Sequence, residues 1–310
     1  MWCLPHPIIK PLSGRSDMST ENRNPTPDAA EKGAFFPSPY SLSQYTSDET
    51  NFDGLAIETG EYSGSGRVLV IATEERYMLM QNDTMFSTGN HPVETLLPLH
   101  HVIGAGFKVT IATRTGAPAK FEWWAFPRED YAVNATWEEL REQFRSPASL
   151  ADVVAGQLGP GSDYLGVFIP GGHGAMLKLN DSPEVASVID WAQENDKLVI
   201  TLCHGPAALL ASSSSDGASP FTGYRVCAFP DSLDQGANVD IGYLPGQMPW
   251  ALGEALTKAG LELANDDMTG ATARDRNLLS GDSPLAANDL GKMAARALIE
   301  QATNEDTSDA

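Results

Sequence analysis

The chain has 310 residues, with 41 acidic against 20 basic side chains and a formal net charge of −21. That much negative charge repels phosphate backbones and anionic lipid surfaces, which argues against tight nucleic-acid or membrane binding. The three cysteines, Cys3, Cys203 and Cys227, are far apart with no CxxC spacing, which speaks against a disulfide framework or thiolate zinc cluster and fits a reducing compartment. MWCLPHPIIKPLSG at the N-terminus breaks its apolar stretch with prolines, His6 and Lys10, so it does not read as a secretory leader. No run reaches the roughly 18 apolar residues of a membrane span. A soluble, cytoplasmic protein is expected.

Residues 1–60, rich in Ser, Thr, Asn, Pro and acids, read as a flexible arm, with 34–47 (Phe35, Phe36, Tyr40, Tyr45) docked on the body. From 61 to 302 short apolar strands alternate with helices, the pattern of a parallel sheet covered on both faces. Strands are expected at 67–73, 107–113, 164–172, 197–203 and 224–229, and then at LELA and NLLS. Helices are expected near 92–104 and 183–195, from Gly205 onward, and near 249–259 and 284–301. The stretch 114–160 breaks this rhythm with Trp123, Trp124, Trp137 and the amphipathic WEELREQF. It reads as a subdomain inserted over the C-terminal edge of the sheet, where open α/β folds keep their sites. Residues 303–310 are expected to be a disordered tail.

VITLCHGPAALLA (199–211) runs an apolar strand straight into Cys203-His204-Gly205-Pro206 and then a helical pattern. A residue at such a turn is lifted out of the sheet on strained backbone, and helix-terminal amides there would lower a thiol's pKa. The plain alternative is a buried structural cysteine. In FIPGGHGAM (168–176), Gly171 and Gly172 leave backbone N–H groups bare, as an oxyanion hole needs, and His173 reads as a rim residue. Glu94, one turn into the helix after the first strand, is either a site acid or a solvated first-turn charge. Asp231 and Asp234 in AFPDSLDQG are either site acids or turn residues.

The strings AFFPSPYSLSQYTS, FSTGNHPVETLLPL, FIPGGHGA, LCHGPAALLA, CAFPDSLD and GDSPLAANDLGK together resemble the Hsp31 (HchA) branch of the DJ-1/PfpI superfamily, almost continuously from about residue 33 to 300. The resemblance implies a flavodoxin-like, doubly wound, mostly parallel α/β fold with an inserted small subdomain. By matching strings it implies a Cys203 nucleophile, its partner His204, Asp234 orienting that histidine, and a protonated Glu94 beside the thiolate. Backbone at Gly171, Gly172 and His204 would form the oxyanion and substrate-binding site.

Two departures stand out. Members of this branch hold zinc through two His and one Glu, where this chain has Ile103, Lys108 and Leu140, so no metal is expected. The resemblance starts close to Met18, so residues 1–17 are expected to reflect an upstream start chosen in annotation. The implied activity is a glutathione-independent glyoxalase III or deglycase, converting methylglyoxal or its adducts on Cys, Lys, Arg or nucleotides to lactate without a cofactor. A holding chaperone for unfolded proteins and a PfpI-like aminopeptidase are the rivals, and a homodimer is implied.

Overall fold

In strand β1 (Arg67–Ile71) Val68 and Val70 point to one side and Leu69 and Ile71 to the other, and all four are buried, so both faces must be covered. The computed structural model describes residues 21–308 apart from 58, 160 and 213–218; the expectations for residues 1–20, including the start near Met18, lie outside the described residues. β1 belongs to a seven-stranded sheet with β2 (Lys108–Thr113), β3 (Ala148–Ser149), β4 (Tyr164–Ile169), β5 (Leu198–Leu202), β6 (Thr272–Asp275) and β7 (Leu278–Gly281). The order is β6-β7-β5-β4-β1-β2-β3, parallel except where β6 meets β7. Leu69, Val167, Val199 and Leu278 lie in register across four strands.

Helices α1 (Pro92–Gly104) and α4 (Ala287–Ser308) cover the Val68/Val70 face through Leu96, Leu97, Leu290 and Leu298. Between them in the chain come α2 (Tyr131–Arg145) and α3 (Pro183–Glu194); α3 covers the Leu69/Ile71 face through Val185, Val188 and Ile189. The expected doubly wound, mostly parallel sheet is present. The chain goes from β1 outward to β2 and β3 and then returns to the other side as β4. This leaves a topological switch point at the C-terminal ends of β1 and β4.

Five local expectations differ. The helix expected from Gly205 is a 3-10 helix, Gly205–Ala211, in which the Ala207 N–H donates to the His204 carbonyl three residues back. The strand expected over 224–229 shrinks to Arg225–Val226, paired with Glu262–Leu263 outside the main sheet. Side chains from the sheet edge take its amides: Arg225 N–H donates to Asp275 and Cys227 N–H to Ser280 Oγ. The arm is ordered earlier than its composition suggests, since Thr26–Pro27 pairs with Ala34–Phe36 in a small sheet with Met85–Ser87 and Tyr77–Leu79. Strands of two or three residues are too short to show a period. β3, read as part of the insertion, pairs with β2 and joins the main sheet. Finally, α4 continues through Ser308, because nothing after Gln301 breaks a helix.

The segment between β2 and β3 is anchored by Phe121, 1% exposed, which packs edge-on against Trp137 and Phe144. Phe121→Ala removes that anchor and is expected to cost about 3–5 kcal/mol in a urea unfolding curve, the range for burying a cavity where a phenyl ring was.

Candidate active site

Cys203 follows β5 with φ +58, a left-handed conformation that costs a non-glycine residue about 1–3 kcal/mol. Two hydrogen bonds hold it there: Cys203 N–H donates to Gly281 O at 2.9 Å, and Phe229 N–H donates to Cys203 O at 2.9 Å. At about 1 kcal/mol net each they match the strain in size. The conformation turns the side chain out of the sheet toward the ends of β1 and β4. Crowding makes two neighbours glycine. A Cβ on Gly171 would strike the Glu94 carboxylate and come within 2.6 Å of Cys203 Cβ, and one on Gly205 would strike Ile169 O. Gly172 sits at φ +96 against Gly89 and His91, and its N–H faces the Cys203 thiol and the Glu94 carboxyl.

Cys203 Sγ lies 3.2 Å from His204 Nδ1, and His204 Nε2 lies 2.8 Å from Asp234 Oδ2. Asp234 sits in a π-helical turn (Leu233–Ala237), a distortion frequent at functional sites. Its other oxygen, Oδ1, is shared by His173 Nε2 at 3.0 Å and the Asn238 Nδ2 donor at 2.8 Å. The alternatives left open for the two aspartates are separated by the fold. Asp231 accepts Gly253 and Glu254 N–H at the start of the helix Leu252–Lys258, and it does not touch His204.

His173 is not at the rim. It is 3% exposed, with its ring centroid 4.0 Å from that of His204. Burial alone would lower its pKa, but the charge and hydrogen bond of Asp234 and the nearby Glu122 raise it above the ordinary histidine value. Burial and the charge of His173 pull His204 down to about 4, against Asp234. Asp234 itself, despite burial, is held far below the usual carboxylate range by the two histidines. Asp234 thus favours a proton on His173, while burial favours the neutral form of His204, whose Nδ1 lies toward the thiol.

Glu94 is fully buried, in the first turn of α1 beside Cys203 and Gly171, and neither carboxyl oxygen has an aligned protein partner. Burial pushes its pKa well above the ordinary range, so it carries a proton near neutrality. Burial also pushes the Cys203 thiol up, and an ionised Glu94 would push it further. A protonated Glu94 reverses that last effect, because it then donates toward sulfur. The two groups hold their protons as a pair. The expected help from a long helix at Gly205 is absent, since seven residues of 3-10 helix carry little macrodipole. Activation of the thiol falls to Glu94, Gly172 N–H and His204.

These groups form the floor of a cleft of about 270 Å³. Its walls include Tyr45 from the arm, Glu122 and Trp124 from the inserted segment, and Phe229, Asn238 and Tyr243. His173, Glu122 and Asn238 were not singled out as site residues in the sequence. The glycine-flanked His173 offered a weak signal, and Glu122 and Asn238 offered none.

The residues at the implied zinc positions do not fit zinc. Leu140 is buried in the apolar core, Ile103 packs against that core, and Lys108 is exposed and cationic. Nearby, His100 Nδ1 pairs with Thr136 Oγ1 and His101 Nε2 with Asn288 Oδ1. Among the described residues, His173, His204 and Asp234 alone cluster at metal-ligand spacing, and they are already hydrogen-bonded to one another.

Fold and site together define an open α/β protein with a buried cysteine on a strained turn at the C-terminal edge of its sheet. A profile of the DJ-1/PfpI family matches residues 85–239. The protein/nucleic acid deglycase HchA of Staphylococcus aureus (strain bovine RF122 / ET3-1) is 56% identical over 289 residues, 93% of this chain and 99% of the relative. Its counterpart in strain MRSA252 is 55% identical over the same length. The chain belongs to the DJ-1/PfpI family. Among solved structures, glyoxalase III from Candida albicans shares the fold with a TM-score of 0.58, covering 74% of this chain and 97% of its own at 19% identity. No helix among the described residues is long and apolar enough to cross a membrane.

Two outcomes are expected at this site. Elemental analysis of purified protein is expected to find no stoichiometric zinc. Glu94→Leu removes the proton donor and leaves burial to act alone on the thiol. Iodoacetamide labelling of Cys203 at pH 7 is then expected to slow about tenfold, equivalent to one pKa unit or about 1.4 kcal/mol. Mass spectrometry reads this residue by residue. Cys227, pushed up to about 11 by burial and Asp282, serves as the unreactive control.

Proposed function

We propose that the protein is a cysteine-dependent, glutathione-independent glyoxalase III and deglycase, converting methylglyoxal, free or released from its adducts, to lactate. The observation that carries the reading is the convergence of Glu94, His204 and Gly172 N–H on Cys203 at the floor of a small cleft. The 56% identity to a protein/nucleic acid deglycase supports it.

In this scheme the Cys203 thiolate adds to the aldehyde carbon, and the developing oxyanion, stabilised by Gly172 N–H, takes the Glu94 proton to give a hemithioacetal. Ionised Glu94 then removes the hydrogen from that carbon, and the electron pair moves onto the ketone oxygen as an enediolate. Glu94 returns the proton to the neighbouring carbon. His204, neutral and held by Asp234, carries the hydroxyl proton of the first carbon to the oxygen of the second, leaving a thioester of lactate. Water attacks the thioester, gives one proton to Glu94 and expels the thiolate; the lactic acid loses its proton to solvent. The first carbon is oxidised and the second reduced, so electrons balance within the substrate.

Cys203→Ala is expected to lower lactate formation from methylglyoxal at least a thousandfold, measured without glutathione; turnover retained by this variant would sink the scheme. The histidine pair sets a second expectation. His173→Gln removes the cation that helps hold His204 at about 4, so the His204 pKa rises. A protonated His204 cannot shuttle, so the acid limb of the kcat/KM profile is expected to move toward neutral pH, while the alkaline limb stays in place.

A further inference from the structure

Among the described residues, most of the buried side-chain polar atoms without a protein partner line the one cleft. They are both Glu94 oxygens, His91 Nδ1, Glu122 Oε2, Trp124 Nε1 and Asn238 Oδ1. Leaving such an atom unpaired costs about 1–3 kcal/mol, so a concentration of them points to groups awaiting a ligand. Glu94 and His91 belong to the thiol end. Glu122, Trp124 and Asn238 touch no reacting atom in the chemistry proposed above, although Asn238 Nδ2 donates to Asp234 and Glu122 lies near His173.

Glu122 is built in, not incidental. It is 0% exposed, its N–H donates to Asn90 O at 3.0 Å, and Thr88 Oγ1 donates to its Oε1 at 2.6 Å, which fixes the carboxyl and leaves Oε2 over. No Lys or Arg lines the cleft. The neighbouring Arg76 donates to Phe121 O instead. Trp124 meets Tyr243 edge to face at 5.5 Å, and Tyr243 meets Tyr45 at 5.6 Å, which makes one wall aromatic. Among the described residues, the unassigned pole thus offers the oxygens of Glu122 and Asn238, one indole N–H, aromatic surface and no Lys or Arg. Such a surface suits N–H groups, including cationic ones, and repels phosphate. Size agrees: a cleft of about 270 Å³ leaves room beyond methylglyoxal, which has only five non-hydrogen atoms.

We propose that Glu122, with Asn238 Oδ1 and the Trp124 indole N–H, is the specificity-determining pole of the cleft. It receives the amine or guanidine nitrogen of a glycated Lys or Arg side chain while the aldehyde-derived carbons lie at Cys203. The inference rests on the deglycase reading above and deepens it by naming which adducts the site selects. Free methylglyoxal reaches only the thiol end, and adducts on phosphate-bearing nucleotides are disfavoured.

The test measures kcat and KM of the full chain for methylglyoxal and for its adducts with N-acetylarginine, N-acetyllysine and GTP, with rates corrected for spontaneous release of aldehyde. Glu122→Gln keeps the acceptor for Thr88 and the side-chain size but turns a donor amide toward the cleft. Its kcat/KM for the arginine adduct is expected to fall about tenfold more than its kcat/KM for methylglyoxal at the same pH, mainly through KM; any change common to both substrates reports the loss of the Glu122 charge beside His173. Trp124→Phe keeps the ring and loses the N–H, and a smaller, equally selective loss of about threefold is expected; it decides the matter if thermal melting shows Glu122→Gln misfolded. An equal loss on every substrate, no loss on any, or wild-type turnover of the GTP adduct as fast as the arginine adduct would overturn the assignment. So would adduct consumption by wild type no faster than spontaneous release, which leaves the glyoxalase reading standing. Absence of turnover on methylglyoxal and adducts alike would instead bring down the functional reading itself.

Discussion

The left-handed backbone of Cys203 is the constraint on which the rest of the site depends. Only that conformation turns the thiol from the end of β5 toward the ends of β1 and β4, where Glu94 and Gly172 wait. It is tolerated because Gly281 O and Phe229 N–H hold both sides of the Cys203 peptide, and because Gly171 and Gly205 leave room for the turn. Changing φ at this residue would separate sulfur from its neighbours without altering a single side chain.

Charge around the thiol is arranged by burial more than by solvent-exposed pairs. A carboxyl with no cation beside it, Glu94, keeps its proton; a carboxylate between two histidines, Asp234, loses its own and orders theirs. The same physical cost of burying charge gives opposite protonation states to two acids lining one site. It also shifts two adjacent, mutually tilted histidines in opposite directions, with Asp234 drawing His173 up and burial drawing His204 down. The result is one proton donor, one neutral base and one thiol within hydrogen-bonding reach of a common floor.

The walls come from parts of the chain that the sheet does not need. Tyr45 arrives on a short helix capped by Ser38, and Glu122 and Trp124 arrive on the segment between β2 and β3. Asn90 ties these together: its side chain accepts from Thr73 N–H and donates to the Thr73 and Lys120 carbonyls, joining the end of β1 to the loop that carries Glu122. The sheet thus provides the reacting groups and the additions provide shape and polarity, a division that lets recognition vary without disturbing the elbow.

The sequence by itself determined the parallel sheet, because strands buried on both faces must be apolar throughout, as RVLVI and LVITL are. It also determined the elbow, since an apolar strand running into Cys203, His204 and Gly205 leaves little choice of turn, and the helix near 92–104 was legible from its proline start and helical period. It did not show that the helix after Gly205 would wind as 3-10, that 225–226 would leave the main sheet, or that the arm would pair from Thr26, because those choices follow from competing partners far along the chain. Motif and composition could name Asp231 and Asp234 but not choose between them by residue chemistry; the choice is made by which carboxylate the π-turn swings toward His204 and which caps the helix at Leu252. His173, Glu122 and Asn238 became site residues only when three separate segments closed over one strand end. A side chain's partner and protonation depend on what is buried beside it, and distance along the chain carries almost no information about that; local pattern decides the element, and only tertiary packing decides the neighbour.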